Sequence, residues 1–275
     1  MQTVGQTATD AAKERIDDLQ RAGCRIIQNP ELFCFGMDAV LLAAFAQPHI
    51  HAGMKVLDLC SGNGVIPILL DARLDKAPVS YTGVEINPVC VDMARRSALM
   101  NGQQERIRFI EEDIRNICAQ PAQEGLEAPG GAGAGKGQAC GRIAPASFDA
   151  VTVNPPYMSG GGGLKTDSYD RTIARHEVLC GIGDVAKAAC FALRPGGHLY
   201  MVHRPHRLGD IFSALSSYSL EVKRMRMVYP YQDREANMVL LDAVRGGKSY
   251  IHVEEPLIIY QEKGVYTQEV RDLYG

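Results

Sequence analysis

From residue 55 to residue 203 the chain alternates short apolar runs with helical patterns, and few folds accept that alternation. Residues 55–59 (KVLDL) read as a buried strand and 65–72 as the helix that follows. Residues 79–86 (VSYTGVEI) predict a second strand. Residues 88–101 predict a second helix, with Asn87 as N-cap and Pro88 at the first helical position. Residues 107–111 and 148–154 (FDAVTVN) give a third and a fourth strand. Residues 184–193 form a helix ended by RPGG, and 198–203 a fifth strand. Such a rhythm implies an α/β, doubly wound, mostly parallel sheet with helices on both faces. Beyond it, 208–217 reads as a helix, and 221–229 with 238–244 as an antiparallel hairpin at the sheet edge.

The chain of 275 residues is long enough for a substantial core, expected over 51–250, with an N-terminal extension (1–50) packing on it and a C-terminal tail (251–275). Residues 119–147, rich in Gly, Ala and Pro, lack the apolar content to offset their ordering entropy and read as a flexible insertion. A net charge of −3 argues against a general nucleic-acid coat, so any nucleic-acid contact needs a local basic patch. The eight cysteines form no CxxC pair, which points away from a zinc site or disulfide framework and toward a reducing cytoplasm. We expect no metal, no signal peptide and no membrane span, since no apolar run approaches the ~20 residues a bilayer requires.

The chemistry gathers at the strand ends. After the first strand come Asp58-Leu59-Cys60-Ser61-Gly62-Asn63-Gly64, where Gly62 and Gly64 allow a tight turn and close approach to a ligand. Glu85, followed by Ile86, ends the second strand; a carboxylate there can accept both hydroxyls of a ribose. Asp113, after the third, can accept from an adenine amino group, with Ile114 offering an amide and an apolar face. Ligands in open parallel sheets bind at these carboxyl ends. A dinucleotide needs GxGxxG, but this chain has SGNGVIP with Pro67 near the third glycine position. S-adenosylmethionine has no phosphate, and Asp58 suits its cationic amino-acid moiety. The plainer alternative makes Asp58 and Glu85 helix caps and the glycines an ordinary turn; three successive acidic strand ends weigh against it.

The fourth strand ends in Asn154-Pro155-Pro156-Tyr157. An exocyclic purine amine is a poor nucleophile because its lone pair is delocalised. Two acceptors aimed at its hydrogens, the Asn154 side-chain oxygen and the Pro155 carbonyl, favour a more tetrahedral nitrogen. The prolines preorganise those acceptors, and Tyr157 can stack on a flipped base. Alone, such a tetrapeptide is equally a rigid turn.

DLCSGNG, GVEINP, EEDI and NPPY together resemble the class I (Rossmann-like) amino-methyltransferases with an NPPY signature. ERIDDL, IIQ, FCFGMDAVLL, RHE, PLIIY and YT resemble the tRNA1(Val) (adenine-37-N6)-methyltransferases. This resemblance implies that the glycine turn, Glu85 and Asp113 bind S-adenosylmethionine, and that residues 154–157 hold the target amine of a tRNA adenine. Cys60 stands where that family often has its first turn glycine. Phe35 and Asp38 either help cover the cofactor or, with Phe33, anchor the N-terminal segment.

Lys165, Arg171, Arg175, Arg204 and Arg207, with Lys223, Arg224 and Arg226, are candidates for phosphate contacts or simply a solvated charged face. Gly160–Gly163 read as a lid or a plain loop. Three alternatives stay open: methylation of a protein glutamine amide, methylation of rRNA or DNA, and non-catalytic RNA binding on the same fold. The residues leave oligomeric state unassigned.

Overall fold

The computed structural model of the chain describes residues 13–32, 34–74, 77–118, 143–156 and 180–274. The parallel strands are β3 (Lys55–Leu59), β4 (Ser80–Glu85), β5 (Ile107–Glu111), β6 (Phe148–Val153) and β7 (Leu193–His203). They lie in the order β5-β4-β3-β6-β7, so the chain moves one way from β3 and then returns to its other side. The switch point falls between β3 and β6, where a ligand cleft is expected.

Side-chain alternation sorts these strands into two apolar layers. Val56, Tyr81, Phe109 and Tyr200 share one core with α1 (Met37–Ala46), α2 (Val65–Arg73) and α3 (Pro88–Met100). Leu57, Leu59, Val151 and Met201 share the other with α4 (Ile182–Ala192) and α5 (Leu208–Ser217). The predicted cap of α3 is present: Asn87 accepts from the Val89 amide, with Pro88 starting the helix.

The hairpin β8 (Leu220–Tyr229) with β9 (Met238–Arg245) is antiparallel, as expected, but β8 is not the last strand. β9 pairs with β7, and β10 (His252–Val253) and β11 (Leu257–Ile258) both pair in parallel with β8. The end of the chain thus widens the sheet. A small hairpin, β12 (Tyr260–Glu262) with β13 (Val265–Tyr266), then leads to α6 (Gln268–Tyr274), whose Val270 joins the first core.

RPGG also differs from expectation. It ends α4, but it lies within β7, where the register with β6 shifts between Phe148 and Ala150. Arg194 precedes a proline and so avoids the helical region; its guanidinium lies 2.9 Å from Asp149. The expected insertion (119–147) largely falls outside the described residues. Its final stretch is tied down: the Ala146 and Ser147 amides donate to the Phe191 and Ala192 carbonyls.

N-terminally, β1 (Arg15–Asp18) and β2 (Arg25–Gln28) form an antiparallel hairpin against α3. The Ile27 amide donates to Ser97 Oγ at 3.0 Å. α1 is apolar on nearly every side, and Ala39–Ala43 are all buried.

Candidate cofactor and catalytic site

Burial and hydrogen bonding shape the turn after β3. Asp58 is 1% exposed. Ser61 Oγ donates to one of its carboxylate oxygens and Thr152 Oγ1 to the other, both at 2.6 Å. Burial pushes the Asp58 carboxyl up to about 7 against the pull of these two bonds, and nearby Glu85 pushes the same way. Cys60 follows with φ 55, a left-handed conformation that costs a non-glycine residue about 1–2 kcal/mol. Cys60 is half-buried, and the neighbouring Cys180 thiol together with desolvation raises its thiol well above the usual range.

The two turn glycines serve different ends. At Gly64 (φ 83), the first cap of α2, an added Cβ would lie 2.5 Å from Phe109 Cζ, so the protein itself fills that space. At Gly62 (φ 55) a Cβ would meet nothing within 4 Å among the described residues. Among the described residues, Gly62 but not Gly64 therefore leaves room for a ligand beside the backbone. Asn63 is buried and donates to the Ile27 carbonyl at 3.3 Å, which ties the turn to β2.

Glu85 bridges two backbones: one oxygen accepts from the Gly62 amide at 2.9 Å, the other from the Asn87 amide at 2.8 Å. Both oxygens keep a lone pair for a ribose hydroxyl. Ile86 is half-buried beside it. Asp113 accepts from the Arg115 amide and guanidinium, and this pairing holds its carboxyl below the usual range. Ile114 is buried. The space beside Gly62 among the described residues, with the Glu85 carboxylate on the Gly62 amide and Asp58 at the base of the same turn, fits the hydroxyl-bearing, cationic S-adenosylmethionine that the fold implies.

On the other side of the switch point, Val153 pairs with Leu59, so Asn154 leaves β6 level with Cys60. Asn154 is half-buried and Pro155 buried. Tyr157, Gly160–Gly163, Lys165, Arg171 and Arg175 lie outside the described residues. Arg204 and Arg207 follow β7 at the same sheet edge; Arg204 donates to the Asn237 carbonyl and Arg207 to Asp210. His203, the last residue of β7 and just before Arg204, is buried, which pushes its pKa down to about 4. Arg224 and Arg226 are both held by carboxylates. Arg224 pairs with Glu254 and Asp242 over the Phe45 ring, and Arg226 with Glu269. Lys223 donates to the Lys248 carbonyl.

Thr152, Cys180 and Arg115 join the site without having been singled out from the sequence. The one available signal was for Thr152, which stands two residues before Asn154 on a strand adjacent to Asp58. Among the described residues no group of three or more His, Cys, Asp or Glu could hold a metal ion, and no helix is long and apolar enough to cross a membrane.

No family model matches the chain. It is 26% identical to a tRNA1(Val) (adenine(37)-N6)-methyltransferase of Porphyromonas gingivalis, across 95% of this chain and 92% of that one. A protein of the same description from Aeromonas hydrophila is 26% identical over 84% of both. Among solved structures, a predicted O-methyltransferase from Agrobacterium tumefaciens superposes with a TM-score of 0.62 at 23% identity, covering 86% of this chain and 95% of that one. The chain thus has the class I S-adenosylmethionine-dependent methyltransferase fold, and tRNA1(Val) (adenine(37)-N6)-methyltransferases are its relatives over most of its length.

Proposed function

We propose that this chain transfers a methyl group from S-adenosylmethionine to the exocyclic N6 amine of an adenine in tRNA, with adenine 37 of a valine tRNA as the target its relatives point to. The observation that carries this reading is the register of β6 on β3, which brings the Asn154-Pro155-Pro156 end level with the glycine turn. Bound at that turn, the cofactor supplies an electrophilic methyl on a sulfonium.

The residues divide the remaining work. Asp58, Cys60, Ser61, Gly62, Asn63 and Gly64 shape the pocket for the amino-acid moiety, Glu85 and Ile86 that for the ribose, and Asp113 and Ile114 that for the adenine. The Asn154 side-chain oxygen and the Pro155 carbonyl accept the two amine hydrogens, turning the nitrogen lone pair toward the methyl. Pro155 and Pro156 hold those acceptors rigid, and Tyr157 stacks on the base. Because the donor is already activated, alignment supplies most of the rate, and the methylated nitrogen loses its extra proton to water. Arg204 and Arg207, with Lys165, Arg171 and Arg175, contact RNA phosphates.

The test is nucleoside analysis of tRNA incubated with the protein and labelled cofactor. N6-methyladenosine at a single tRNA position is the expected product. Label in another nucleoside, or in protein glutamine, overturns the substrate; cofactor binding without transfer to any pool overturns the enzyme.

A further inference from the structure

Five strands present one row of residues on the α2–α3 face of the sheet: Tyr200, Thr152, Asp58, Gly83 and Phe109, each the register partner of the next. Two members of this row, Thr152 and Asp58, and Ser61 of the turn form a dry polar unit. Thr152 is 0% exposed, Asp58 1% and Ser61 5%. A valine would fill the place of Thr152 and suit a buried strand better, yet the threonine hydroxyl is kept and donates to Asp58. Gly83 makes room for the second donor: a Cβ there would lie 2.6 Å from Ser61 Oγ and 2.4 Å from Phe109 Cδ1.

This unit joins the two halves of the cleft. Ser61 belongs to the turn whose next amide, that of Gly62, is held by Glu85. Thr152 lies two residues before Asn154, at the end of the neighbouring strand. A carboxylate accepts from both hydroxyls at once and fixes the distance between them; an amide in its place offers one acceptor and one donor.

We infer that Thr152 and Ser61 are positioning residues for methyl transfer: through the two oxygens of Asp58 they clamp the glycine turn to the strand that ends in Asn154, so that donor and acceptor pockets keep one alignment. The inference rests on the methyltransferase reading above. Misplacing reacting groups by about 1 Å costs about a hundredfold in rate, which is the scale on which the clamp acts.

The experiment compares Thr152→Val, which keeps the shape and removes the hydroxyl, with Thr152→Ser, which keeps the hydroxyl. Single-turnover transfer to tRNA is measured at saturating cofactor, cofactor Kd by calorimetry, and folding by thermal melting. Thr152→Val should fold, lose about ten- to a hundredfold in single-turnover rate and change little in cofactor Kd, while Thr152→Ser restores most of the rate. Ser61→Ala, acting on the other oxygen, should also lower the single-turnover rate at saturating cofactor, whatever its effect on cofactor Kd as a residue of the cofactor pocket, and decides the matter if Thr152→Val does not fold. Wild-type rates in both hydroxyl deletions overturn the clamp, and so does a Thr152→Ser variant as slow as Thr152→Val, which would assign the effect to packing. An active wild type beside unimpaired variants rejects the clamp alone. A wild type with no transfer to tRNA rejects the functional reading, and the clamp falls with it.

Discussion

Two aspartates lie in the interior of the same sheet, each 1% exposed, and their surroundings differ in kind. Asp242, on the outer half, is hydrogen-bonded to His198 Nδ1 at 2.8 Å and lies 3.4 Å from the Arg224 guanidinium. Arg224 is held in turn by Glu254 at 2.7 Å and sits 4.4 Å above the Phe45 ring. Asp58, at the switch point, is bound by two neutral hydroxyls and pairs with no cation among the described residues. Burying a carboxylate without a cation is costly, and its raised pKa, about 7, expresses that cost. The outer aspartate brings its own counter-charge and serves the fold. The inner one has no such counter-charge among the described residues, and in the proposed function the cofactor's cationic moiety supplies it.

Arg224→Ala strikes the outer site. It strips Asp242 of its guanidinium in a dry setting and should lower the unfolding free energy by about 3–5 kcal/mol in urea titrations. A loss smaller than about 1 kcal/mol would mean that His198 suffices, and the contrast with Asp58 would weaken.

Asp58→Asn probes the inner site through pH. With its carboxyl at about 7 in the folded protein and about 3.9 unfolded, the folded state binds the extra proton between those values. Wild-type stability should therefore decline relative to the variant as pH rises from about 4 to about 7, by up to about 4 kcal/mol, and run parallel above that. Parallel curves throughout would show that Asp58 is already compensated.

Glu85→Ala should weaken cofactor binding by about ten- to a hundredfold, because it removes both a ribose acceptor and the anchor of the Gly62 amide. Unchanged affinity in calorimetry would take Glu85 out of the cofactor pocket. The smallest effect is expected at Cys60→Gly, which relieves a left-handed residue and should add about 1 kcal/mol of stability in thermal melts. A lower melting temperature would show that the contact with Cys180 outweighs the strain.

The parallel half of the fold was legible because its strands are short, apolar and bounded by turn residues. β3, β5 and α5 have the boundaries their residues predict. α1 carries no helical signal in its sequence: burial on nearly all sides leaves it without the polar stripe that marks helical periodicity. The pairing of β10 and β11 with β8 joins segments some thirty residues apart and has no local signature. The site shows the same division. Asp58, Glu85 and Asn154 announce themselves at strand ends, whereas Thr152 acquires its partner only through the register of β6 on β3. Arg224 and Arg226 look like phosphate ligands in sequence because their acidic partners, Glu254 and Glu269, arrive from a distant part of the chain.

The account turns on two adjoining pockets with separate duties, and Asn154→Ala separates them. Methyl transfer to tRNA and cofactor affinity are measured on the same preparation. Transfer should fall by about a hundredfold to a thousandfold while the cofactor Kd stays near the wild-type value. Equal loss of both, or full transfer without the Asn154 amide, would contradict the assignment of this strand end to the target amine.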